Sequence, residues 1–314
     1  MAMDLVKRLC LRISIMTHQY ISEDSGSDQS WLVSSLFCAA SEWPELLNEA
    51  IKPFMDLSIV ENTIDSFRIE MNYMNGENVR LALHTVNNNA ASLALQTDSY
   101  FKNYFSKRKH EPYELSLPLK GIFMPFPINS IQYGLYRIKP TEKEEMDIMK
   151  ELSLIIVDFF KEEIPADETI LLFAFHLHIC CFKITSTFTK HAANIADLYR
   201  LPPLEEMAAV KEFAEEKFSE NEITLLQVVE DIFYDSIAEN ESLKWLNKWE
   251  LLCDQWVKQW IKSGKYSANN IVEIHKKIFF QINNQLAING DMLFLLFCFV
   301  NRSMEKFSNR TSNR

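Results

Sequence analysis

Residues 73–85, YMNGENVRLALHT, carry Arg80 with Asn78 two positions before it and His84 four positions after it. In an extended strand, residues two and four apart share a face. Asn78, Arg80, Ala82 and His84 therefore form one stripe that holds an amide, a permanent cation and an imidazole. Such a set suits hydrogen bonding to a carbonyl or a developing oxyanion, with a proton carrier beside it. The competing reading is an edge-strand charge turned to water.

Four other stretches bear on chemistry. NSIQYGLYR, residues 129–137, offers Gln132 and Tyr133 beside a Tyr-Gly step; alone it reads as an ordinary loop-to-strand junction. FFQINNQL, residues 279–286, sets Gln281, Asn284 and Gln285 three and four apart inside an apolar helical run. Buried amides need hydrogen-bond partners, so these three either line a cavity and bind peptide groups or lie on a solvated face. Trp245, Trp249, Trp256 and Trp260, at spacings of 4, 7 and 4, fall on one helix face. Core packing is the favoured reading of that stripe, with Trp256 as a stacking wall for a heterocycle if the stripe borders a cleft. HLHICC, residues 176–181, looks metal-like, but its apolar flanks and lack of a second ligand pair favour a buried element with satisfied histidines. The sequence contains no Gly-rich phosphate loop, no serine nucleophile elbow and no HExxH motif.

Composition narrows the class. The chain has 314 residues, 47% of them hydrophobic, enough for one large domain (1–314) with a substantial core. A net charge of −11 argues against a broad nucleic-acid surface, which needs concentrated Lys and Arg. The six cysteines are scattered without paired metal spacing and sit mostly in apolar runs, as expected in a reducing cytosol. The N-terminal stretch shows no long apolar h-region, and MLFLLFCFV at 292–300 is too short to span a bilayer. A cytoplasmic protein without membrane attachment is expected.

The elements that must position these residues change character near residue 140. Before it, SWLVSSLFCAA at 30–40 reads as a strand and PELLNEAIKPFM at 44–55 as a helix. DSFRIEMNYM and NVRLALHTV alternate around NGEN as a hairpin whose left-handed turn Asn75 and Gly76 supply. Residues 113–128 read as extended chain broken by prolines. After it, Thr141 and Glu144 form a capping box, and helices are expected from there and near 167–186, 187–200, 204–218, 221–239, 241–263 and 267–306. The fold class is α+β: a sheet from the N-terminal half (1–140, mainly β with a helix) packed with a largely helical C-terminal half (141–314).

Taken in order, these segments resemble the thiopeptide-type bacteriocin biosynthesis domain, which also forms the glutamate-eliminating C-terminal part of lantibiotic dehydratases. SWLVSSLFCAASEWPELLNEAIKPFM resembles its opening. YMNGENVRLALHT resembles its Arg-Tyr…Gly-x-His-[IL]-Arg-Leu-Arg strand pair, NSIQYGL its Glu-x-Glu-Arg-Tyr-Gly-Gly segment, and KIFFQINNQL its late Ser-x-x-His-Met-x-x-Asn-Arg-Leu helix. Arg80, Tyr133, Gly134 and Asn284 match the motifs. Asn78, Ala82, Gln132, Leu135, Phe280 and Gln285 depart from them, so the second Arg, the loop Arg and the His of the eliminating members are missing. Those cations bind a glutamyl ester and manage its departure, a task ill suited to Ala82, Gln132 and Phe280.

The resemblance therefore points to the stand-alone thiopeptide pyridine synthases, of the thiocillin and micrococcin type. It implies a modified precursor peptide as partner, with leader and dehydrated, thiazole-containing core, acted on without metal or redox cofactor, alone or beside other biosynthetic enzymes. It implies Arg80, Tyr133, His84 and His275 as catalytic candidates, and Asn78, Gln132, Gln281, Asn284, Gln285 and Trp256 as substrate-binding ones. A glutamate-eliminating subunit of a split dehydratase and a non-catalytic leader-binding scaffold are the alternatives.

Overall fold

The computed structural model describes residues 31–86, 90–108, 126–138, 142–161, 163, 165–188, 195–199, 208–234, 243–264, 266 and 270–312. The extended run expected at 113–128 up to residue 125, the capping Thr141 and half of the helix expected at 187–200 lie outside these residues. The described chain is α+β, with its sheet in the N-terminal half and helices dominating the rest. It forms two compact units, residues 31–169 with 285–287, and residues 170–284 with 288–312.

In the first unit, strands β1 (Trp31–Phe37), β2 (Ile64–Asn72), β3 (Asn78–Thr85) and β4 (Ser130–Tyr133) form an antiparallel sheet in the order β2-β3-β1-β4. The hairpin forms as its sequence dictates, with Asn75 and Gly76 at φ values of 63° and 116°. Asn72 Oδ1 accepts the Met74 N–H at 2.7 Å, and Asn78 Nδ2 donates to Met74 O and Gly76 O at 3.1 and 2.8 Å, bracing the turn from both strands. Helix α1 spans residues 40–60, its middle (Leu46–Ile51) wound as a π-helix. Helix α2 (Ala90–Ser106) lies in a stretch for which the sequence pattern gave no expectation. Helix α3 (Lys143–Phe159) packs on β2; its N-cap is Glu142, with no side-chain cap bond, rather than the expected Thr141.

Among the described strands β2 lies at an edge of this sheet, and two side chains close it at its centre. Ile69 N–H donates to Ser153 Oγ of α3 at 2.9 Å, and Ile69 O accepts from Gln285 Nε2 at 2.9 Å. Gln285 Nε2 also meets Ser153 Oγ at 2.7 Å and Met149 O at 3.1 Å. Backbone groups that would otherwise offer themselves to another strand are thus satisfied within the unit.

In the second unit, helices α4 (Asp167–Thr187), α5 (Ala208–Phe233), α6 (Lys244–Lys262), α7 (Ile271–Gln285) and α8 (Gly290–Ser312) surround an aromatic core. Helix α4 is long and apolar enough to cross a membrane, yet it is mostly buried within the protein. Helix α5 runs without the break expected near 220. The single helix expected over 267–306 is two, because Ala287 takes a left-handed φ of 54° and the Ile288 N–H turns back to Asn283 O at 2.8 Å. That is a Schellman ending, at a position where glycine is the usual residue. Ala287→Gly is expected to stabilise the protein by about 0.5–1 kcal/mol in urea unfolding, strain relief exceeding the added entropy of the unfolded chain.

Candidate functional site

Cross-strand register gathers a polar face on the sheet. Gln132 pairs with Ser35, Ser35 with Arg80, and Arg80 with Glu70, so the four stand in one row across β4, β1, β3 and β2. The neighbouring row on one side joins Phe37, Asn78 and Asn72; on the other side lie Val33, Ala82 and Arg68. Directly paired residues share a face, so Asn78, Arg80, His84 and Gln132 lie on one face of the sheet, Arg80 and Gln132 in one row and His84 two pairs further along β3. Because β3 is an interior strand, the solvent-facing edge reading of Arg80 is corrected: β1 and β2 flank it on both sides.

Arg80 is held on three sides. Its Nη1 donates to Glu70 Oε1 at 2.7 Å, its Nη2 meets Met74 Sδ at 3.7 Å, and its guanidinium lies over the Tyr136 ring, 4.6 Å from the centroid. Glu70 also accepts from Arg68 Nη2 at 2.8 Å and from Asn72 Nδ2 at 3.2 Å. Burial, followed by the Glu70 charge, pushes the Tyr136 phenol up, so it stays a neutral donor. His84 Nδ1 faces Asp65 Oδ1 at 2.6 Å, and its ring meets Trp31 edge-on with centroids 5.1 Å apart. Gln132 borders a cavity of about 400 Å³ lined also by Lys102, Phe105, Ser106, Asn129, Ser130 and Ile131.

Tyr133 is separated from this set. It pairs with Ser34, which pairs with Leu81, and strand alternation turns that row to the opposite face from Arg80. Burial, with Asp98 adding to it, pushes its phenol up, so it stays neutral and can donate a hydrogen bond. Asn78 is 1% exposed and committed to the hairpin turn.

The sequence reading missed Glu70, Arg68, Asn72, Ser35 and Tyr136. Three of them were within reach: Arg68, Glu70 and Asn72 alternate along β2, and the Asn75-Gly76 turn sets Glu70 opposite Arg80.

The remaining candidates lie in the helical unit, apart from Gln285. Gln285 is fully buried and bonded to β2 and α3 in the sheet unit, so it fills the role of a strap and not of a cavity wall. Asn284 is exposed and Gln281 half-buried on α7, where Asn283 is buried alongside Gln285. Trp256 is 7% exposed and meets Trp249 edge-on with centroids 5.7 Å apart, so the tryptophan stripe is core from Trp249 to Trp260, with Trp245 half-buried at its start.

His275 is fully buried in a chain of polar groups, which corrects its expected place in an open site. The Cys181 thiol faces His275 Nδ1 at 3.5 Å, His275 Nε2 faces Tyr199 Oη at 2.7 Å, His178 Nδ1 faces Tyr199 Oη at 3.0 Å, and His178 Nε2 faces Asn283 Oδ1 at 3.1 Å. The links from His275 Nε2–H to Tyr199, Tyr199 O–H to His178 and His178 Nε2–H to Asn283 run in one direction, while at the other His275 nitrogen both the Cys181 sulfur and Thr185 Oγ1, at 3.0 Å, approach. The network ties α4, α7 and the short turn Asp197–Tyr199 together, and His178 is the satisfied core histidine of HLHICC.

Burial lowers the His178 imidazole to about 3, with Asn283 opposing and His275 adding to the shift. A histidine depressed in the folded state takes up its proton only on unfolding, so stability is full above the ordinary value of 6.5 and is lost as pH falls below it. The free energy of urea unfolding is expected to drop by about 2–3 kcal/mol between about pH 7 and about pH 4.5 from this group alone. A His178→Gln variant, weaker at neutral pH, is expected to show a flatter profile.

No protein-family model and no curated protein sequence matches the chain. Solved structures that share its fold include a thiopeptide pyridine synthase and a lantibiotic dehydratase, as the sequence resemblance implied. One is the pyridine synthase TbtD from thiomuracin biosynthesis, with a TM-score of 0.62 and 11% identity over 89% of this chain and 99% of that one. TsrL aligns with a TM-score of 0.63 and 10% identity over 90% of this chain and 96% of that one. The tRNA-dependent lantibiotic dehydratase MibB from Microbispora sp. 107891 aligns with a TM-score of 0.57 and 9% identity, over 92% of this chain but only 29% of MibB.

Proposed function

We propose that this protein is a thiopeptide pyridine synthase acting on a precursor peptide with a leader and a dehydrated, thiazole-containing core. The observation that carries this reading is the end-to-end likeness to TbtD, described as a pyridine synthase and covered over 99% of its length. Two dehydroalanines of one peptide are brought together. The iminol form of an amide, CH2=C–N=C(OH), supplies the four-atom partner, and two C–C bonds form, one between the two dehydroalanine methylene carbons and one between the iminol carbon and the α-carbon of the second dehydroalanine. Loss of water, then of the leader peptide as a carboxamide, leaves the aromatic pyridine and closes the macrocycle.

Such a reaction asks chiefly for positioning, and oriented intramolecular reactions reach effective molarities of roughly 10⁵–10⁸ M. On this reading the polar sheet face holds peptide groups. Arg80 donates to the oxygen that gains charge as the amide tautomerises, Gln132 hydrogen-bonds the peptide beside the cavity it borders, and His84 with Asp65 manages a proton. The departures at Ala82, Gln132 and Phe280 speak against glutamate elimination, which needs cations at those places.

The test is purified protein with a dehydrated, thiazole-containing peptide followed by mass spectrometry. Loss of one water and of the leader as carboxamide supports the proposal. Release of glutamate from a glutamylated peptide would assign elimination instead. Binding of the leader with no turnover of either substrate would assign a scaffold.

A further inference from the structure

We infer that Arg68 is a second binding cation beside Arg80, and that the pair forms a site for a negatively charged substrate oxygen, kept in place by Glu70. This deepens the proposed function and rests on it for the identity of the substrate.

Arg68 and Arg80 approach one carboxylate from adjacent strands, on Glu70 Oε2 and Oε1 at 2.8 and 2.7 Å. Both side chains are only 13% exposed and Glu70's is 11%, so two cations share one anion in a largely desolvated place and leave a net positive charge. The strand register explains how Arg68 gets there. Its cross-strand partner is Ala82, whose small side chain leaves the row free for the Arg68 stem.

The donors are also incompletely used. The Nε–H groups of both Arg68 and Arg80 are buried with no hydrogen-bond partner among the described residues. A desolvated charged donor with no acceptor is costly to keep, and two side by side mark a place prepared for an oxygen that arrives later. Each Nη can stay on Glu70 while the Nε–H turns to an incoming oxyanion. Glu70 is thus a positioning residue: it prevents the two guanidinium groups from separating and weakens their hold on other anions until one arrives in the correct place.

Two sources could supply that oxygen, the amide that becomes an iminolate during reaction or an acidic side chain of the peptide. The test uses the full chain and the arginine Nε–H resonances in ¹⁵N–¹H spectra, assigned with Arg68→Lys and Arg80→Lys, which keep the charge but remove Nε–H. Acetate is the probe. Both resonances are expected to move together on titration, and Glu70→Gln, which frees the pair, is expected to tighten acetate binding by about tenfold, as loss of one competing charge predicts. Loss of structure in Glu70→Gln would weaken binding, so the sign separates the two.

With the thiazole-containing peptide, Arg68→Lys lowering kcat assigns the iminolate, whereas a raised KM with kcat unchanged assigns an acidic side chain. If neither resonance moves with acetate and Arg68→Lys leaves both constants unchanged in an enzyme that makes pyridine, the inference is wrong and the function stands. If acetate moves both resonances but the wild-type protein makes no pyridine, the anion site stands and the function is wrong.

Discussion

Arg80→Ala is expected to reduce the rate of pyridine formation by about 10²–10³-fold, the usual result of removing one preorganised donor from a developing oxyanion. Folding is expected to survive the change. Glu70 keeps Arg68 at 2.8 Å and Asn72 at 3.2 Å, so no buried carboxylate is stranded. The measurement is single-turnover rate against the melting temperature of the same preparation. Unchanged turnover would reduce Arg80 to an internal ion pair that joins β2 to β3, since its interior strand leaves no solvent-facing edge role for it.

Trp249→Ala should have the largest effect on stability. Trp249 is fully buried, its indole N–H donates to Leu177 O at 3.1 Å, and its ring packs edge-on against Trp256. Truncation removes the whole indole and opens a cavity between α4 and α6, for a cost of about 3–5 kcal/mol in urea unfolding. Trp249→Phe keeps most of the volume and should cost less. If instead either change left stability intact and raised only KM, the tryptophan stripe would be a substrate wall and not a core seam.

What could be read from sequence follows the range of the forces involved. The β2–β3 hairpin was legible because alternation and an Asn-Gly turn are local signals, and both sit within residues 64–85. The left-handed Ala287 was not, because an alanine carries no sign of a helix end and the break depends on packing around it. The polar face was half legible. Arg80 and Gln132 were found by motif, but their partner Glu70 lies in a strand whose register had to be counted back from the turn. Tyr133 was misplaced for the same reason: its neighbour Gln132 shares a motif with it, yet consecutive residues on a strand face opposite ways. Gln285 and His275 are polar residues in apolar helices, and sequence alone does not say whether such a residue looks into a cleft or completes a core. Their partners, Ile69 and Tyr199, lie 216 and 76 positions away.

That distance of 216 residues between Gln285 and Ile69 also sets a schedule for the growing chain. The centre of β2 is made early, but the side chain that closes its outer backbone comes out of the ribosome much later. At roughly 5–20 residues per second the delay is on the order of 10–40 s. Through that interval the nascent sheet has the Ser153 half of its clasp at best and stands open to pairing with a neighbouring nascent chain. Fragments that stop short of Gln285 are accordingly poor candidates for expression, and slow translation would be harmful to this protein ahead of α7 rather than after it.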